Sequence, residues 1–416
     1  MTELEIMGKN AKEAARSLAA AGTAKKDEAL RAIARCFLDN MDKIIRANKF
    51  DLEEADRQTL SLSIIDRLTL NEKRIKAMAQ GILEIAALPD PIGTIVGGGK
   101  RPNGLEIKKV RVPLGVIGII YEARPNVTAD SAALCLKSGN AVILRGGKEA
   151  FHSNACISEL MRNTLSDLGM DPNCIQLVRD ITHDSAVEMM NMTEYLDVLI
   201  PRGGANLIRS VVENAHVPVI QTGAGNCHIF VDKSADFEMA IDIIENAKVS
   251  RPSVCNAVET VLVHRNIAEK FLPLLKKRLD KSNVRIKGCA RTCAFLKMEI
   301  ERAVEKDWER EYLDYILAIK VVSSFDEAIR HIDKYSTGHS ESIITSDYER
   351  ARRFTEEIDS AAVYVNASTR FTDGGEFGNG AEIGISTQKL HARGPMGINE
   401  LTTCKYIIFG NGQIRE

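Results

Sequence analysis

The stretch RVPLGVIGIIYEARPNVTADSAALCLKSGNAVILRGGKEAFHSN, residues 111–154, decides the fold. Its apolar run 116–120 is short and rich in Ile and Val, as a strand covered on both faces must be. A helix-like segment follows near 129–137, then a second apolar run at 141–144 and a second helix near 154–168. The alternation continues with strands at 175–178, 196–200 and 217–220, and helices at 185–192 and from Ala205. It resumes with strands at 228–231 and 258–263 and helices at 237–248 and 267–279. Later strands are predicted at 317–322, 342–345 and 361–365, with helices at 326–333 and 348–358 between them. Such alternation predicts parallel sheets with helices on both faces, an α/β fold. The loop 221–226 separates the two runs and marks a boundary between two domains.

Outward from this region the pattern changes. Leu4, Met7, Ala11, Ala15 and Leu18, then Ala29, Ile33, Phe37 and Met41, recur at helical spacing through the first 90 residues. Pro89, Pro91 and the run Gly97–Gly99 end that section. The Gly-rich stretch 371–393 is a loop of a length that is usually functional when ordered. The strand-like run 402–409 has no helix after it and is expected to pair with 105–112 as an arm.

Composition narrows the function classes. The chain has 416 residues, 44 % hydrophobic and 27 % charged, enough for two or three globular domains. Its 55 Lys+Arg against 57 Asp+Glu leave a net charge of −2, which excludes a strong basic footprint for nucleic acid or anionic membrane. The acidic start Met1-Thr2-Glu3-Leu4-Glu5 is unlike a signal peptide, and no apolar run approaches the ~18 residues of a membrane span. Nine cysteines cannot all pair, and a cytoplasmic chain with free thiols is expected.

The phosphate-loop signatures fail. Arg145-Gly146-Gly147-Lys148 has Val142 where a P-loop needs glycine and Glu149 where it needs Ser or Thr, and no G-x-G-x-x-G follows the first strand. Cys289 and Cys293 lack partners at zinc spacing, so no metal is expected. Cys255 stands out within SRPSVCN (250–256), a polar loop between a helix and a strand, where Arg251 would favour the thiolate. Its bland alternative is a buried bystander thiol. Asn126, in the turn from the first strand into its helix, is either an N-cap or a side-chain donor for an oxyanion.

Three segments together, 111–154, 250–256 and 364–385 (YVNASTRFTDGGEFGNGAEIGI), closely resemble the gamma-glutamyl phosphate reductase family of the aldehyde dehydrogenase superfamily. The resemblance covers essentially the whole chain. It implies an aldehyde dehydrogenase-like α/β fold with two Rossmann-like parallel-sheet domains and a small β oligomerisation arm. The expected division is a cofactor-binding domain at 1–104 and 116–224 and a catalytic domain at 225–360. Residues 361–390 are expected to return to the cofactor domain as an active-site loop, with 105–115 and 400–416 forming the arm.

By motif, Cys255 corresponds to the nucleophile, Asn126 to the oxyanion asparagine and Glu311 to the glutamate on the nicotinamide ribose. Arg145, Gly146, Gly147 and Lys148 fall at the adenosine ribose, where two cations and two glycines suit a 2′-phosphate. NADPH is therefore expected, the alternative for both cations being solvated surface charge. Candidate cations for the substrate carboxylate and phosphate are Arg251, Arg370, His391 and Arg393, each with a structural salt bridge as its alternative.

The implied reaction is reduction of L-glutamate 5-phosphate to the 5-semialdehyde through a cysteine thioester, the second step of proline biosynthesis. Where hydrolytic relatives carry a water-activating glutamate, this chain has Gln221 or Thr222, neither of which is a base at neutral pH. Alternatives are a hydrolytic or CoA-acylating aldehyde dehydrogenase and a catalytically silent structural relative. The reductase reading accounts for the full length and leaves no room for the kinase domain of fused relatives. A homo-oligomer is expected, with transient contact to glutamate 5-kinase, which makes the unstable acyl phosphate.

Overall fold

The computed structural model describes residues 1–60, 62–297 and 299–415. These form two compact units, Met1–Thr222 with Gly378–Gly384 and Met396–Glu416, and Gly223–Phe377 with Ile385–Pro395.

The first unit opens with helices Glu3–Ala19, Thr23–Asp39, Met41–Arg57, Leu62–Leu68 and Glu72–Ala87. Thr2 and Glu5 form a reciprocal capping box that starts the first of them. Two buried ammonium groups tie this layer down. Lys26 reaches Asp90 at 2.6 Å and the Lys137 carbonyl at 3.0 Å, and Lys137 pairs with Asp27 at 2.5 Å. Then come β1 (Ile95–Lys100), β2 (Glu106–Pro113), β3 (Val116–Tyr121), β4 (Ala141–Gly146), β5 (Ile175–Leu177) and β6 (Val198–Arg202). A parallel sheet runs β5-β4-β3-β6, with every residue of β3 buried. The strand order reverses beside β3, so the crevice at the carboxyl ends of β3 and β6 is where such sheets take ligands.

The last strand, Thr402–Phe409, pairs antiparallel with β2 from Thr402↔Pro113 to Phe409↔Glu106, and β1 lies on the other side of β2. The glycines that read as a chain break are therefore in a strand. Gly98 has φ +132 and leaves no room for a Cβ, which would stand 2.1 Å from the Ile107 carbonyl oxygen. Glu416, the end of the expected arm, lies outside the described residues.

The second unit carries β7 (Cys227–Val231), β8 (Val258–His264), β9 (Arg285–Gly288), β10 (Glu301–Arg302), β11 (Ile316–Val322), β12 (Ser340–Ile344) and β13 (Ala362–Val365). They form one parallel sheet in the order β10-β9-β11-β8-β7-β12-β13. β7 and β8, central to it, are buried throughout.

Several boundaries differ from expectation. Helix Pro125–Lys137 starts ahead of 129 because Pro125 sits in its first turn, where a fixed φ and a missing N–H are no handicap. The run 217–220 makes only an isolated bridge, Leu199↔Val219. The units divide at Thr222/Gly223, and residues 361–377 stay in the second unit because β13 pairs with β12; only 378–384 return to the first.

Candidate functional site

Cys255 lies half-buried on the turn between helix Phe237–Val249 and β8. Gly225 packs under it so closely that a Cβ there would stand 1.5 Å from the Cys255 carbonyl oxygen. The Gly225 N–H donates to Glu311 Oε1 at 2.8 Å. Cys227 Sγ donates to the same Cys255 carbonyl at 3.1 Å and stands 3.7 Å from His339 Nδ1. Burial pushes the Cys227 thiol far up, so it stays protonated and serves as a donor. The chain of contacts goes on from His339 to Ser340 at 2.8 Å, and from Ser340 to Thr372 at 2.6 Å. The Cys255 loop is thus held through its backbone.

On its other side, Arg370 crosses that loop. Its guanidinium donates to Asn256 Oδ1 and, through Nε, to Ser250 Oγ at 3.1 Å. Burial, and then Arg251, lower the Arg370 pKa, and Cys255 acts on it as well. A guanidinium remains charged in such surroundings. Arg251 itself is exposed. Cys255, Glu311, Arg251 and Arg370 therefore share one unit.

Behind Glu311, Leu313 takes the left-handed conformation, φ +55, and its N–H donates to Glu259 Oε1 at 3.1 Å. Glu259 Oε2 meets Lys248 Nζ at 2.7 Å, and both side chains are fully buried. Burial pushes the Glu259 carboxyl up to about 7 against the pull of Lys248, and lowers the Lys248 ammonium. Neither residue stood out in the sequence, although a buried pair eleven residues apart bridges the helix before Cys255 and the strand after it.

The other two cation candidates lie further along this unit. Arg393 donates from Nη1 to the Asp359 carboxylate at 2.7 Å and from Nη2 to the Asp359 backbone carbonyl at 2.5 Å, so the salt-bridge alternative describes it. His391 is exposed and has φ +74.

In the first unit, Asn126 is not the N-cap of its helix. Arg124 takes that position, with no side-chain cap bond, and Asn126 lies inside the first turn. Asn126 Nδ2 donates to Asp130 Oδ2 at 2.9 Å, which engages one of the amide's two hydrogens. Burial raises the Asp130 carboxyl to about 6, with the Asn126 bond and Arg202 opposing. A carboxyl raised in the fold stabilises it below its ordinary pKa and loses that contribution as pH rises through the folded value. Asp130→Asn is therefore expected to stabilise the unit by roughly 1–2 kcal/mol at pH 8 and negligibly at pH 4. Thermal melts at the two pH values check this, and an equal shift at both would refute it.

Arg145, at the end of β4, donates from Nη2 to the Ile181 and Thr182 carbonyls at 2.9 and 2.8 Å, making it a fixed cation. Gly146 is required by packing, since a Cβ there would meet Asn154 Nδ2 at 2.2 Å; Gly147 is buried and Lys148 exposed.

Beside β3, Gly203 and Gly204 open helix Ala205–Asn214, and the Gly204 N–H donates to Glu122 Oε2 at 2.8 Å. That helix start already holds an anionic oxygen, as helix N-termini do for phosphates. With Arg145 and Lys148 at the carboxyl end of the same sheet, the first unit suits a phosphate-bearing dinucleotide. The Gly203-Gly204 pair between strand and helix did not stand out in the sequence. Among the described residues no three His, Cys, Asp or Glu side chains gather to hold a metal, and no helix is long and apolar enough to cross a membrane.

The family model described as "Aldehyde dehydrogenase family", whose members use NAD(P), matches residues 2–288 and 306–407. Gamma-glutamyl phosphate reductase of Caldanaerobacter subterraneus is 58 % identical over 414 residues, covering 100 % of both chains. The enzyme of that name from Halothermothrix orenii is also 58 % identical, over 100 % of this chain and 99 % of its own. The crystal structure of gamma-glutamyl phosphate reductase from Thermotoga maritima superposes with a TM-score of 0.97 at 48 % identity, covering 100 % of each chain. With this architecture and these relatives, the chain belongs to the aldehyde dehydrogenase family and, within it, to the gamma-glutamyl phosphate reductases.

Proposed function

We propose that this chain reduces L-glutamate 5-phosphate to L-glutamate 5-semialdehyde and phosphate, with NADPH as reductant and Cys255 as nucleophile. The observation that carries this is the half-buried Cys255 on a loop braced by Gly225, Cys227 and Arg370, in a chain 58 % identical to enzymes named for that reaction.

The Cys255 thiolate attacks the acyl carbon, the C–O bond to phosphate breaks, and a thioester forms on Sγ. By its motif Asn126 is the proposed oxyanion donor, through the amide hydrogen that Asp130 does not engage. Arg370 and Arg251 receive the substrate's anionic groups, while Arg393, held by Asp359, is left out of that role. Arg145 and Lys148 receive phosphate of the cofactor, and Glu311 its nicotinamide ribose. When bound, NADPH supplies the hydride that takes the thioester to the aldehyde level. Cys255 then leaves as thiolate when the aldehyde is released. The cytoplasm suits the nine free cysteines, and the exposed Tyr406, Ile408 and Phe409 on the last strand suit a contact between copies of the chain.

The direct test is the reverse reaction, NADP⁺ reduction with glutamate 5-semialdehyde. It is expected to depend on inorganic phosphate; turnover without phosphate would indicate the hydrolytic alternative, and none at all the silent one. Gln221→Glu places a general base where hydrolytic relatives have one and is expected to release phosphate from the acyl phosphate without NADPH oxidation. Unchanged phosphate release would count against the role given to this position.

A further inference from the structure

We propose that Asn256 is a positioning residue: it fixes the Arg370 guanidinium beside Cys255 and so makes the nucleophile selective for anionic acyl substrates. This rests on the reading of Cys255 as nucleophile and Arg370 as a substrate cation.

Asn256 directly follows Cys255, is 4 % exposed, and grips Arg370 at both ends. Its Oδ1 accepts from Arg370 Nη1, and its Nδ2 donates to the Arg370 carbonyl at 3.2 Å and the Thr372 carbonyl at 2.9 Å. The Asn256 carbonyl accepts from Thr369 Oγ1 at 2.7 Å, so the short helical turn Thr369–Phe371 is docked on this one residue. Arg370 and Asn256 are 114 residues apart in the chain, and these bonds hold the distant loop against the nucleophile turn.

The chemistry of the anchor matters. A long arginine side chain loses rotamer freedom when it is ordered, so a guanidinium ordered beforehand meets an anion at less entropic cost. An aspartate at 256 would also order it, but would cancel its charge. A neutral amide orders the guanidinium and leaves the charge for the ligand. With Arg251 on the loop that carries the thiol and Arg370 docked against that loop, two cations serve it.

The test compares alkylation of Cys255 in the full chain by neutral iodoacetamide and anionic iodoacetate, followed by mass spectrometry of the Cys255 peptide. Arg370→Ala is expected to lower the iodoacetate-to-iodoacetamide rate ratio about 3–10-fold, the effect of one nearby charge in a partly hydrated site. Asn256→Ala is expected to lower it equally, with the iodoacetamide rate within about twofold of wild type and no further fall in the double variant. In turnover, both variants raise KM for glutamate 5-semialdehyde more than they lower kcat. A merely structural role would slow both reagents alike, and that result overturns the proposal. An unaltered ratio in Asn256→Ala, with Arg370→Ala altered, overturns the positioning; an unaltered ratio in Arg370→Ala overturns it at the cation reading on which it rests. Should Asn256→Ala not fold, Asn256→Ser, too short to reach the guanidinium, carries the same expectations.

Discussion

Replacing Cys255 with alanine is expected to lower turnover by about 10⁴-fold or more while leaving NADPH affinity within about twofold of wild type. The size follows from the chemistry: without Sγ no thioester forms, and no second thiol can take its place. Cys227, which touches the Cys255 backbone, is buried, keeps its proton, and donates a hydrogen bond to the Cys255 carbonyl. Glu311 and the residues around Arg145 do not depend on the thiol, so cofactor binding survives. Steady-state rates with glutamate 5-semialdehyde, NADP⁺ and phosphate, beside a fluorescence titration of NADPH, separate the two. Turnover within tenfold of wild type would remove Cys255 from the nucleophile's role.

The largest stability effect is expected at Lys248. Lys248→Met leaves the fully buried Glu259 without its partner, and breaking such a pair costs about 3–5 kcal/mol. The deficit should depend on pH in a definite direction. Glu259 is already raised to about 7, burial being the chief cause, and losing Lys248 raises it further. A carboxyl raised in the fold contributes stability that is present below its ordinary pKa and drains away as pH rises through the folded value. The variant should therefore come closest to wild type near pH 5 and fall furthest below it above pH 7. Lys248→Met/Glu259→Leu should recover most of the loss, because neither charge is then buried alone. Urea unfolding across that pH range measures both, and a pH-independent deficit, or no recovery in the double variant, would refute this account. The pair also supports the Leu313 turn behind Glu311, so Lys248→Met is expected to weaken cofactor binding.

Much of the architecture could be read from local pattern. β3 is buried along its whole length and runs almost entirely through Val and Ile, so it is visible without any partner, as is the apolar run Val261–Val263 of β8. β9 and β10, with four and two residues, are too short to show a period, and they were missed. The Gly97–Gly99 run misled for the opposite reason: glycine signals a break unless a neighbouring strand, here β2, demands close approach. Pro125 misplaced a helix start because proline is an obstacle inside a helix but not in its first turn.

The site divides in the same way. Cys255, Asn126 and the Arg145–Lys148 stretch lie in short contiguous motifs, which is why a family resemblance could single them out where residue type alone left bland alternatives open. Gly225 under the thiol, Cys227 at its carbonyl, Asn256 against Arg370 and Lys248 against Glu259 act through contacts between separate segments. No spacing encodes them. Sequence alone was sufficient for the parallel α/β class and the family, because strand burial and catalytic motifs are local properties. Only the tertiary structure separated Arg370, ordered against the Cys255 loop by Ser250 and Asn256, from Arg393, engaged by the Asp359 carboxylate. The two arginines stand at the two ends of one glycine-rich stretch, and what distinguishes a guanidinium held by neutral groups from one held by a carboxylate is which side chains the fold brings to it.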